Sequence, residues 1–188
     1  MKGGTIVLSV VLVIVVVLGI VFAGSYNGLV KAEEAVNAKY ADIDTQLQRR
    51  SDLIPNLVNT VKGYAAHEQA AIEAVTTARE NLLKANGTQE LANADAKLTE
   101  AINNLLVIVE NYPDLKANTT FIQLQDELAG TENRIAVARK NYNEAVEEYN
   151  ANIRTFPRNI LAGLFGFDKK EYFKAAEGTQ IPPQVDFE

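Results

Sequence analysis

The residue types able to do chemistry are few in this chain, and their spacing does not assemble a reaction. His67 is the single histidine. His67-Glu68 begins like a zinc-protease helix, but that helix needs a second histidine four residues on to complete the metal's ligands, and there is none. A di-iron site in a helical bundle draws on Glu-x-x-His pairs, which one histidine cannot supply. No serine sits in a G-x-S-x-G elbow, and neither a glycine-rich phosphate loop nor a dinucleotide fingerprint is present. A histidine-kinase reading would need a nucleotide-binding domain, for which there is no room. The acidic pairs Glu33-Glu34 and Glu147-Glu148 offer carboxylates, yet at helical spacing such residues face water. With no cysteine, disulfides, zinc–thiolate sites, iron–sulfur clusters and a lipidated N-terminal cysteine are excluded. The expectation is no catalytic residue, no cofactor-binding residue and no metal ligand. With 24 acidic against 18 basic residues the net charge is −6, so phosphate backbones would be repelled and nucleic acid is not expected as a partner.

One polar residue is out of place. Arg50 falls on a seven-residue row between Ile43 and Leu57, where an apolar side chain belongs. A buried guanidinium without a partner is prohibitively costly, so a buried Arg50 must meet a carboxylate. Asp52 is the local candidate, and Glu110 and Glu132 are the cross-helix ones, with Glu132 favoured. Such a pair fixes helix register rather than doing chemistry, so Arg50 and Glu132 are read as a structural polar seam. The alternative is that Arg50 lays its stem along the seam edge and keeps its charge in water.

The elements that must position these residues begin with Ile6 to Ala23, IVLSVVLVIVVVLGIVFA, an uncharged apolar run at the N-terminus. As a helix it spans roughly 27 Å, close to the thickness of a hydrocarbon core. Val21-Phe22-Ala23 before Gly24 resembles a cleavage site, but the run is longer than the usual signal core, which favours a retained anchor. The chain after it is polar enough for water and long enough for one domain. Lys2 precedes the run and Lys31 and Lys39 follow it, so the charge rule for orientation is nearly tied. The signal-like N-terminus tilts the expectation to a single-pass protein of the bacterial inner membrane with its bulk outside the cytoplasm.

Four helical segments follow, with almost no strand signal. In the first, from about Tyr26, one row runs Leu29, Val36, Ile43, Leu57 and Tyr64, and its companion runs Tyr40, Leu47, Ile54 and Val61. Pro55 inside this pattern should kink the helix and leave a carbonyl of the preceding turn without its donor. The second segment, about Ala66 to Ala85, carries Ile72, Val75, Ala78 and Leu82, and Asn86-Gly87-Thr88 marks a turn. The third, about Gln89 to Asn111, carries Leu91, Ala94, Leu98, Ile102, Leu105, Leu106 and Val109, and Tyr112-Pro113-Asp114 ends it. The fourth is the clearest: Phe121, Leu128, Ile135, Tyr142, Tyr149 and Phe156 recur every seven residues, with Leu124, Ala138, Val146 and Ile153 beside them, until Pro157. The fold class expected is all-α: an N-terminal transmembrane helix, then an antiparallel up-and-down four-helix bundle whose first and fourth helices are long. The boundaries expected are an anchor over 1–25, the bundle over 26–157, a membrane-proximal segment over 158–177 and a disordered tail over 178–188.

An up-down-up-down path that starts at the membrane returns to it. That brings Asn159 to Phe167, NILAGLFGF, near the bilayer, with Arg154, Arg158, Lys169 and Lys170 flanking it. Ile160, Leu161, Leu164, Phe165 and Phe167 bracketed by cations suit an interfacial contact, with apolar groups below the headgroups and charges among them. The same segment also suits a cap folded back over the bundle. Both readings stand on the sequence.

The runs SYNGLVKAEEAV, DIDTQLQRRSDLIPNLVNTVKGYAAHE, VENYPDLKAN, TENRIAVARKNYNEAVEEYN and FPRN with FGF are similar to the LemA family, in order from Gly24 to Phe173. Tyr40 stands where many of that family carry tryptophan, which keeps a ring and loses an indole donor. The resemblance implies a membrane-anchored bacterial helical bundle with no established enzymatic activity, and a relative in magnetosome formation implies a part in organising membranes. The function expected is therefore a non-enzymatic scaffold of the cell envelope. Its expected partners are the lipid bilayer, copies of itself as a homo-oligomer, and another membrane or envelope protein. The competing expectation is a sensor or adaptor that takes an anionic ligand or a peptide between helices, using the seam at Arg50.

Overall fold

The computed structural model describes residues 2–174, and the tail from Gly178 lies outside them. The described chain is all-helical, without strands: α1 (Lys2–Lys62), α2 (Gln69–Lys84), α3 (Thr88–Val109), α4 (Pro113–Lys116), α5 (Thr119–Asn152) and α6 (Arg158–Phe165). The apolar run and the first amphipathic segment are one helix rather than two. No proline interrupts the stretch from Gly24 to Gly28, and adding a residue to an existing helix needs no new nucleus. The large apolar side chains from Ile6 to Phe22 are 37–71% exposed, and this helix is long and apolar enough to cross a membrane.

The described residues fall into two compact units, one within Met1–Lys39 and Tyr142–Glu171, the other within Tyr40–Asn141 and Tyr172–Glu188. In the first unit the core is built on Leu29, Val36, Tyr142, Val146, Tyr149 and Leu161. The amide of Asn150 secures the chain after α6: its Nδ2 donates to the Lys170 carbonyl at 2.9 Å and its Oδ1 accepts from the Lys170 N–H at 3.0 Å. In the second unit both rows of α1 are buried at Ile43, Leu47, Ile54, Leu57 and Val61, and so is the heptad row of α5 at Phe121, Leu128 and Ile135.

The ends of the elements follow local chemistry. Gly87 takes φ +80°, a left-handed turn that a side chain would resist, and α2 packs on α3 across it. Glu90 reaches back to accept from the Asn86 N–H at 3.0 Å. Asn118 caps α5 by accepting from the Phe121 N–H at 3.0 Å. Pro113 opens the short α4, where its missing N–H costs nothing. Two positions of the periodic rows are exposed, and Tyr40 and Leu106 are half-buried. Tyr64 lies just beyond α1 and is exposed, its hydroxyl accepting from Asn118 Nδ2 at 2.9 Å. Phe156 is 76% exposed, because α5 stops at Asn152 and the chain tightens into Arg154 N–H to Ala151 O before Pro157.

Candidate functional site: a buried charge seam and an aromatic base

Helix α1 carries Arg50 into the second unit's core, where it is 3% exposed. Its Nη1 donates to Asp95 Oδ1 of α3 at 2.8 Å and lies 2.6 Å from Glu132 Oε2 of α5, while Nη2 donates to Thr99 Oγ1 at 3.0 Å. Asp95, 2% exposed, uses its second oxygen to accept from Arg139 Nη2 of α5 at 2.6 Å. Two guanidinium groups thus meet two carboxylates, and the seam is neutral as a whole. Thr99 is oriented by its own hydroxyl, which donates to the Asp95 carbonyl at 3.0 Å. The guanidinium of Arg139 also lies 4.6 Å from the centre of the Phe173 ring, within cation–π range.

Beside this seam is a second polar lock. Pro55 sits inside α1 and has no N–H for the carbonyl four residues earlier, that of Ser51. Ser51 is fully buried, so that carbonyl must be satisfied by something else. Arg79 of α2 supplies the donor, its Nε bonding Ser51 O at 2.8 Å. Helix α1 thus continues through Pro55, and the freed carbonyl becomes a link to α2.

Of the other carboxylates weighed for Arg50, Asp52 accepts from Gln48 Nε2 at 2.8 Å and Glu110 pairs with Lys116. Sequence reasoning missed Asp95, Thr99 and Arg139. A signal for Asp95 was present: Leu91, Asp95, Leu98, Ile102, Leu105 and Val109 step by four and three along one face, so Asp95 interrupts its row as Arg50 interrupts its own. Two interruptions of opposite charge on separate helices form a complementary pair. His67 is exposed in the turn between α1 and α2, and Glu34, Glu147 and Glu148 are exposed. Glu33 pairs with Lys170 at 2.7 Å. Between α1 and α5 of the second unit an open groove of about 370 Å³ is lined by Asp42, Thr45, Gln46, Arg134 and Val137 among others.

In the first unit, α6 and the residues after it gather on the start of the polar part of α1. The Phe165 and Phe167 rings pack edge-on against Tyr26, with centroids 5.0 and 5.8 Å away. Gly166, at φ +73°, makes the turn, and the Phe167 N–H bonds the Ala162 carbonyl at 3.0 Å. The guanidinium of Arg158 lies against Gly28, 3.6 Å from where a Cβ would be, and donates to Asn152 Oδ1. Leu161 is buried, whereas Ile160, Leu164, Phe165 and Lys169 are exposed, and Phe167 and Lys170 are half-buried. Above this base, Tyr149 is fully buried and its hydroxyl has no hydrogen-bond partner. Loss of solvation, reinforced by the negative charges of Glu33 and Asp168, pushes the Tyr149 phenol up to about 12.

The family model for LemA matches residues 39–187. Magnetosome protein MamQ 2 and Magnetosome protein MamQ 1 of Paramagnetospirillum magneticum are each 31% identical to this chain, across 85% of it and 70% of the relative. Protein LemA of Metamycoplasma hominis is 25% identical across 86% of this chain and 74% of its own. With the family model matching most of its length, the chain belongs to the LemA family.

Proposed function

We propose that this protein is a non-enzymatic scaffold of the bacterial cell envelope, anchored in the inner membrane by the first part of α1, with its bulk outside the cytoplasm. The observation that carries the reading is the uncovered apolar stretch from Ile6 to Phe22, which continues as one helix into a segment whose apolar rows are buried. Left in water, an exposed apolar surface of that length would drive aggregation, whereas a bilayer covers it. On this reading α1, α2, α3 and α5 form an antiparallel up-and-down four-helix bundle. The seam and the Ser51–Arg79 link, which tie α1 to α2, α3 and α5, would hold its register. The names of the magnetosome relatives support a role at membranes, and the scaffold acts by self-association or by binding another envelope protein.

The competing reading, an adaptor that receives an anion at Arg50, meets an electrostatic objection. Asp95 and Glu132 already neutralise that guanidinium, and an added anion would face both carboxylates. Light scattering on the full chain in detergent micelles tests the scaffold. The expected result is a protein mass of at least two chains that persists on dilution. A single chain at every concentration, with no envelope protein recovered by crosslinking in cells, would overturn it.

A further inference from the structure

We infer that α6 is an interfacial helix, lying with its outer apolar face in the headgroup layer of the same bilayer that holds the start of α1. The inference rests on the anchoring reading and adds a second, separate lipid contact. Helix α6 is apolar on two sides. Leu161 and Ala162 face inward and are buried, whereas Ile160, Leu164 and Phe165 are 52%, 73% and 56% exposed. A helix that only capped the unit would need one apolar face and could leave the other polar.

Its position gives the outer face an occupant. Phe165 packs on Tyr26, three residues past Ala23, where the apolar run ends, and Arg158 lies against Gly28, five residues past it. At about 1.5 Å per residue these levels are roughly 4.5 and 7.5 Å beyond the hydrocarbon edge. The headgroup layer is itself roughly 5–8 Å deep on each side. Aromatic rings thus fall at the level where tyrosine and its neighbours settle, and a guanidinium falls at the level of phosphates. The formal charge around α6 is close to balanced, since Arg154, Arg158, Lys169 and Lys170 are opposed by Glu33, Asp168 and Glu171, and Lys170 is held by Glu33. Apolar insertion therefore leads, and anionic lipid strengthens the contact only modestly.

The chain has no tryptophan, so a single introduced indole reports its own surroundings. The full chain carrying Leu164→Trp, and a second carrying Ile160→Trp in case the first disturbs folding, is reconstituted into phosphatidylcholine vesicles with and without phosphatidylglycerol. Some of the lipids carry a nitroxide quencher near the headgroup. Phe22→Trp serves as the anchor's own probe. The expected result is that both α6 indoles emit further to the blue than in water and lose most of their emission to the lipid quencher, slightly more so with phosphatidylglycerol. Indoles quenched by aqueous iodide and untouched by lipid would overturn the inference. So would indoles shielded from both, which would mean that another copy of the chain covers α6. A quenched Phe22→Trp beside unquenched α6 indoles removes this inference alone, whereas an unquenched Phe22→Trp removes the anchor as well.

Discussion

A buried charge in the second unit and a buried neutral phenol in the first are accommodated in opposite ways. In the second, Arg50 and Asp95 are almost fully enclosed, and each is met by charges and hydrogen bonds on neighbouring helices. In the first, the Tyr149 hydroxyl is enclosed and meets nothing. The difference follows from what each group loses on leaving water. An uncompensated buried charge is intolerable, so the sequence must place partners on other helices, and those partners then fix which residues face each other. A neutral phenol loses far less, and the ring's packing offsets the orphaned hydroxyl. Partnering thus marks where the fold depends on specific pairs, and its absence marks where shape alone suffices.

The largest expected break of that contrast is Asp95→Ala. It leaves Arg139 without its carboxylate and Arg50 with only the half-exposed Glu132, and should cost about 3–5 kcal/mol in denaturant unfolding of the full chain in micelles. Glu132→Gln should cost about 1 kcal/mol or less in the same assay, since a half-exposed carboxylate is already screened by water. Equal costs for the two would show that burial does not set the scale.

Next in size is Arg79→Leu, which orphans the buried Ser51 carbonyl and should cost about 1–3 kcal/mol. The sharper form is a double-mutant cycle. In a Pro55→Ala background the alanine's N–H can satisfy that carbonyl, so Arg79→Leu should cost much less there. Additive effects would separate the proline from the arginine.

Smallest is Tyr149→Phe, which removes an unpartnered hydroxyl and keeps the ring. Stability should hold or rise by up to about 1 kcal/mol. Its signature is pH dependence. Below pH 10 both folded and unfolded chains keep the phenol proton, so no stability is lost. Between pH 10 and about 12 the unfolded chain ionises first and the folded state weakens, an effect that levels off once the folded phenol also ionises. The wild type should therefore lose more stability than Tyr149→Phe across that window, measured as the difference between their unfolding midpoints.

The helical architecture was legible because apolar residues repeat every seven positions, a spacing that only a helix places on one face. Arg50 was legible for the same reason, as a charge that breaks its row. Pro55 announced a carbonyl without a donor, but not the donor, because Arg79 lies on another helix and long-range pairing leaves no mark in local spacing. Asp95 was hidden by Ala94 beside it: assigning the apolar alanine to the row moved the aspartate off the face it occupies. That the anchor and the first amphipathic segment run on as one helix was not legible in local spacing, because an already propagating helix passes through Gly24 and Ser25 without a new nucleus. Phe156 extended the α5 row in sequence only, since periodicity cannot see where a helix end tightens into a turn.

The central claim, that the start of α1 holds this chain in a membrane, is tested most directly by alkaline carbonate extraction of membranes from expressing cells, with the mass of the extracted chain determined. The account predicts that the chain stays in the pellet with residues 6–23 intact. A chain released to the supernatant, or one cut after Ala23, would contradict it.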